Sequence, residues 1–208
     1  MESERGEDNM ERHGERFISP NFTREDFLNI QLTISSDEED WNQAIHIMDN
    51  RIRGRFFDSI NNLIDNINEN GFAIMALNCL LVETLYQFTR GLGETELGKN
   101  KDRYVAFLNL VMPGVFPNRK SREVFYSDIR CGILHSAQTK RGSQLTFDKP
   151  YVIEMFGNEQ IRVDVKEFTR HLVDYYNKYM FDLSKPENIT LRLAFINKMT
   201  LICMADEI

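Results

Sequence analysis

Apolar residues return every third or fourth position from Trp41 through Ile45, Met48, Ile52, Phe56, Ile60, Leu63 and Ile67. That spacing predicts one long amphipathic helix over residues 36–68. Asp37, Glu38, Glu39 and Asp40 make its first turn acidic, which suits the positive end of a helix dipole, and Gly71 is expected to end it. Residues 73–88 are apolar nearly all round, interrupted by Asn78 and Glu83, so they predict a helix at the centre of a bundle, closed by Gly91 and Gly93. Shorter helical spacing follows over 103–111, then a break at Pro113-Gly114 and Pro117. A further helix is predicted over 120–135, with Val124, Phe125, Ile129, Ile133 and Leu134 on its apolar side. Gly132 is costly inside a helix and therefore predicts close approach by another backbone. Residues 165–183 and 187–204 return to helical spacing.

The rest of the pattern is short-range. Residues 1–19 are polar, acidic and without apolar period, and are expected to form a disordered tail; one domain is expected over 20–208. Thr23 with Asp26 forms a capping-box pair, and Phe22 with Phe27 has hydrophobic-staple spacing. Ile30, Leu32 and Ile34 alternate as a strand would. Leu145, Phe147 and residues 151–163, turning at Gly157-Asn158, predict a small antiparallel hairpin before the next helix. The fold class is thus mainly α, a helical bundle with a small β-hairpin insertion.

Composition narrows this little: 42% hydrophobic and 27% charged residues can bury a sizeable core. The three cysteines, Cys79, Cys131 and Cys203, are widely spaced among apolar residues and predict reduced thiols without zinc-ligand spacing. No cofactor or metal is expected. The longest apolar run is too short to span a bilayer, and the chain is expected to be soluble and cytoplasmic, with no membrane partner. Net charge is −7, yet its distribution is uneven. Between positions 118 and 141 six cations (Arg119, Lys120, Arg122, Arg130, Lys140, Arg141) face only Glu123 and Asp128. That local excess can attract phosphate, although residues 119–122 also suit the solvated first turn of a helix.

Inside this segment lies Arg130-Cys131-Gly132-Ile133-Leu134-His135. An arginine can hold two phosphate oxygens through its planar fork, and histidine is the side chain whose ordinary pKa lets it take and give a proton near neutrality. On an α-helix the two positions stand about 140° apart around the axis and about 7.5 Å along it. One helix alone therefore makes a poor clamp, whereas two copies about a twofold axis would set two cations and two imidazoles around one phosphate. Glu83, in the central helix, either pairs with a cation such as Arg130 or faces solvent at a gap in the packing.

This order of elements, with Arg-x4-His on the helix after the core pair, resembles the HEPN superfamily over roughly 36–183, most closely at 126–138. The resemblance implies a helical bundle that dimerises with both Arg-x4-6-His motifs in one cleft, and, in many members, a metal-independent ribonuclease used as a toxin or in defence against phage. It assigns Arg130 and His135 the catalytic places; beside it, the residues themselves offer Glu83, Asp128 and Cys131 as supporting candidates and the local charge offers Arg119, Lys120, Arg122, Lys140 and Arg141 toward RNA. Expected partners are single-stranded RNA, a second copy of the chain, and an antitoxin or defence-system protein. Other members have lost catalysis and bind RNA, nucleotide or protein. Two positions depart from the pattern: Cys131 stands where catalytic members often carry a polar residue, and Ala137 stands where one toxin branch carries a modified tyrosine.

Other candidates are weaker. His13 lies in the tail, His46 and His171 on helices where a local role suffices, and the stripe of Tyr175, Tyr176 and Tyr179 either stacks bases or forms core. Three classes therefore remain: an endoribonuclease cutting by 2′-hydroxyl attack, a non-catalytic binding module, and a structural bundle in which His135 is a satisfied core residue.

Overall fold

The computed structural model describes residues 15–157 and 159–204. Helix α1 (Arg24–Leu28) starts on the expected capping box: Thr23 Oγ1 accepts from the Asp26 amide at 3.2 Å and Asp26 Oδ2 accepts from the Thr23 amide at 2.7 Å. Phe22 and Phe27 diverge from the staple, Phe22 meeting the His46 ring edge-on and Phe27 packing on Phe195. The alternation at Ile30, Leu32 and Ile34 forms no strand, because Gln31 sits at φ 50° and turns the chain; Leu32 is buried from a loop.

The long amphipathic stretch is one continuous helical run that ends earlier than expected. Helix α2 (Glu38–Ile52), capped by Asp37 accepting from the Asp40 amide at 3.0 Å, passes through a π-helical turn at Arg53–Phe57 into α3 (Asp58–Ile64). The break falls at Asp65-Asn66, where Asn66 leaves helical geometry at φ −116° and ψ 48°, and not at Gly71. Asparagine competes for backbone partners and so ends the helix. Gly71 instead lies within α4 (Ile67–Arg90), where a Cβ would meet the Phe147 ring at 2.5 Å.

Helix α4 is the hub, packed against α3, α5 (Asn100–Val111), α7 (Cys131–Ser136), α8 (Val165–Ser184) and α9 (Ile189–Cys203). By length and composition alone it could cross a membrane, but Ile74, Met75, Leu81, Val82, Leu85 and Phe88 are buried by protein. Its interior Asn78 donates to Thr169 Oγ1 at 2.8 Å, which offsets the cost of burying an amide. The tyrosine stripe is core rather than a stacking platform: Tyr176 and Tyr179 are buried, and Tyr176 donates to Asp49 at 3.0 Å.

The expected hairpin is present as β2 (Ile153–Phe156) and β3 (Gln160–Asp164), antiparallel with Met155 opposite Ile161. A third strand, β1 (Gln144–Thr146), joins parallel to β3, giving the order β1-β3-β2. Asp164 then caps α8, accepting from the Glu167 amide at 3.2 Å. The expected tail falls mainly on residues 1–14, outside the described residues, as does His13. Residues 15–19 belong to the domain: Ile18 and Ser19 are buried, and the Ile18 carbonyl accepts from Arg51.

Buried Lys198 on α9 fixes the loop that leaves α4, donating to Gln87 Oε1 and to the Gly93 carbonyl at 2.8 Å each. Burial, with Arg51 nearby, lowers its pKa to about 8 from 10.5. Its folded pKa lies below the unfolded one, so the folded state loses this proton first and stability gains as pH rises through about 8. The unfolding free energy of the parent minus that of Lys198→Met is therefore expected to increase between pH 7 and 9 in denaturant titrations. A difference that stays flat would place the ammonium in solvent.

Candidate active site

The predicted motif helix is continuous but not uniform. Asn118 opens α6 (Arg119–Val124) with a capping box to Ser121, a π-helical turn follows at Phe125–Arg130, and α7 carries the motif to Ser136. A π turn inserts one residue per turn and is frequent at functional sites. Here it hands Arg130 to α7, with the Cys131 amide reaching back to the Tyr126 carbonyl. Ala137 ends α7 in the left-handed conformation at φ 50°. The chain then folds back over Gly132, where a Cβ would collide with the Gln138 carbonyl oxygen and approach Thr139 Cα to 3.3 Å. This is the close backbone approach that the glycine predicts.

Arg130 and His135 occupy different surroundings. The Arg130 side chain is 13% exposed and donates from Nη2 to Glu83 Oε2 at 2.9 Å, so the central glutamate does pair with the motif. Its guanidinium lies 5.4 Å from the Tyr126 ring centroid and its Nη1 is 4.0 Å from Cys131 Sγ. Burial works against the cation, but the Glu83 bond and the Tyr126 oxygen outweigh it and hold its pKa above the usual arginine value. Nε is buried with no partner among the described residues. Glu83 in turn accepts from Thr95 Oγ1 at 3.3 Å, so the loop anchored by Lys198 also braces the carboxylate. His135 is exposed in the last turn of α7.

Asp128 supports the site through the chain that follows it. It is 1% exposed; Oδ2 accepts from Ser143 Oγ at 2.9 Å and from Arg141 Nε at 3.2 Å, while Oδ1 accepts from Ser127 Oγ at 3.1 Å and faces Arg141 Nη2 at 2.5 Å. Its carbonyl accepts from the Lys140 amide at 3.0 Å. One buried carboxylate thus pins the loop between α7 and β1.

The expected six-cation patch divides. Arg119 is held by Asp102 at 2.6 Å and Glu123 at 2.9 Å, Lys120 by Glu159 at 3.2 Å, and Arg122 donates to Asn109 at 3.1 Å. These three decorate α6 and lie in local pairs. Lys140 and Arg141 instead line an open groove of about 290 Å³ with Lys101, Tyr126, Ser127, Asp128 and Cys131. Lys101 escaped the sequence reading, which began this helix at residue 103, whereas α5 begins at Asn100 and carries Lys101 in its first turn. Elsewhere His46 packs on Phe22, and His171 Nε2 lies 3.5 Å from Arg170 Nη2. Among the described residues no three His, Cys, Asp or Glu side chains converge to hold a metal ion.

Comparison with protein-family models, with curated proteins and with solved structures finds no match.

Proposed function

We propose that this helical bundle is of the HEPN type and that it cuts single-stranded RNA without a metal, using Arg130 and His135 from two copies of the chain. The observation that carries the reading is the placement of Arg130: the Glu83 bond, the Tyr126 ring and the Cys131 thiol hold the guanidinium of a side chain that is still 13% exposed. Five residues on, an exposed imidazole stands free to meet substrate.

A second copy supplies what one helix lacks. Phe72 and Leu80, 42% and 44% exposed, follow one face of α4 through Ala76 toward Glu83. Covering that stripe with its twofold mate would bring two Arg130 sites together. In the reaction the 2′-hydroxyl attacks the adjacent phosphorus while one His135 accepts its proton. The P–O5′ bond breaks, an imidazolium protonates the leaving oxygen, and Arg130 offsets the charge gathered on the phosphorane. The role in toxin action or phage defence, and an antitoxin-like partner, belong to the same proposal.

Single-stranded RNA should therefore be cut and DNA of the same sequence should not, because only RNA carries the nucleophile. Products should end in 2′,3′-cyclic phosphate and 5′-hydroxyl, at a rate that excess chelator leaves unchanged. A 5′-phosphate product, or a monomer by light scattering at the active concentration, would overturn this mechanism. A dimer that binds RNA and never cuts it would establish the second reading, a binding module, which the tie of Arg130 to Glu83 and the thiol at position 131 favour.

A further inference from the structure

We infer that the groove between α5, the π turn and the loop after α7 is a second phosphate site, which holds a backbone phosphate of the strand beside the one at Arg130. Three cations reach its mouth from separate segments: Lys101 from the first turn of α5, and Lys140 and Arg141 from the loop fixed by Asp128. Lys101 and Lys140 are exposed and form no ion pair among the described residues. Arg141 donates from Nε to Asp128 and from Nη2 to Ser127, and its side chain remains 63% exposed at the groove. Asp128 offsets the charge of Arg141, which it faces at 2.5 Å, so the cationic excess at the groove comes from Lys101 and Lys140. Glu123, near Lys101, is held by Arg119 at 2.9 Å.

The groove is continuous with the motif. Tyr126 and Cys131 form its wall, and the same ring and thiol touch the Arg130 guanidinium. A strand crossing this wall would pass from the Arg130 phosphate to the lysine pair. The ligand class follows from the donors: two ammonium groups beside the Arg141–Asp128 pair suit a compact anionic oxygen group and read no base. This site rests on the proposed RNA reading for its occupant, although binding there needs no catalysis.

The test uses the full chain with His135→Ala as a non-cleaving background and follows fluorescence anisotropy of a labelled eight-nucleotide RNA and its DNA counterpart. Lys101→Ala with Lys140→Ala should weaken both about tenfold, the scale of one lost charge-assisted hydrogen bond. It should also flatten the slope of log K against log salt by about 0.7, the value for one phosphate contact on a single strand. Lys166→Ala with Lys178→Ala removes the same net charge from α8 and should change neither. Equal weakening by both pairs, unchanged binding in the groove variant, or no binding by the background protein would each overturn the site. Displacement of the probe by inorganic phosphate or AMP as well as by oligonucleotide would assign the groove to a free anion and overturn the strand assignment. If the parent cuts no RNA while the groove variant still loses affinity, the nuclease reading fails and the phosphate site stands.

Discussion

Replacing His135 by alanine is expected to slow RNA cleavage by about 10²–10⁴-fold, the usual contribution of a positioned acid–base group, while the melting curve and helical signal stay at the parental values. The structure separates these two readouts. His135 is exposed in the last turn of α7, and the turn beneath it is closed by backbone bonds, Ala137 N to Ile133 O at 3.0 Å and Gln138 N to Gly132 O at 3.4 Å. Neither bond uses the imidazole. An exposed side chain with no hydrogen bond among the described residues leaves stability within about 0.5 kcal/mol when truncated. Loss of cooperativity in the variant would return His135 to the class of structural residues. A folded variant that cuts at the parental rate would remove it from the chemistry.

Much of the frame around the site was legible because it depends on neighbours in sequence. The Thr23–Asp26 capping box, the acidic start of α2 and the left-handed close of α4 at Gly91 are local devices, and a short window contains all their parts. Gly132 was legible for another reason: it is costly inside a helix and so requires a close neighbour, whereas for Glu83 the pattern left a cation partner and a solvent-facing place both open. The glycine meets the Gln138 carbonyl and the glutamate meets Arg130.

What stayed hidden depends on distant partners or on competition between equal signals. Gly71 read as the end of the long helix, and only the Phe147 ring, 76 positions away in sequence, shows that the glycine is needed for packing. Charge counting placed Arg119, Lys120 and Arg122 with Lys140 and Arg141. It could not reveal that Asp102 and Glu159 satisfy part of the first group while Lys101 joins the second. The π turn leaves the apolar spacing nearly unchanged and so gave no signal, yet it sets the direction from which Arg130 enters the core.

The second large effect concerns that arginine and distinguishes chemistry from packing. Arg130→Lys keeps the charge but loses the planar fork that spans Glu83 and the Tyr126 ring. Cleavage is expected to fall by about 10²–10³-fold, the scale for removing one preorganised donor to a transition-state oxyanion. Glu83→Gln keeps an acceptor for Nη2 while removing the countercharge from a cation whose side chain is 13% exposed. It should cost about 1–3 kcal/mol of stability, less than for a fully buried pair, because water still reaches part of both side chains. Combining Glu83→Gln with Arg130→Lys should cost less stability than the sum of the two changes, since the residues touch. Activity should nevertheless remain at the Arg130→Lys level, because bracing an ammonium does not restore the fork. Despite burial, the Glu83 bond holds the folded pKa of Arg130 above the ordinary arginine value, so its stabilising contribution is fully present below the unfolded pKa and is lost only as pH rises through the folded one. No rate or stability change between pH 5 and 10 should therefore trace to this group. Parental cleavage by Arg130→Lys, together with the predicted stability coupling, would leave Arg130 as the structural partner of Glu83 and end its assignment to the reaction.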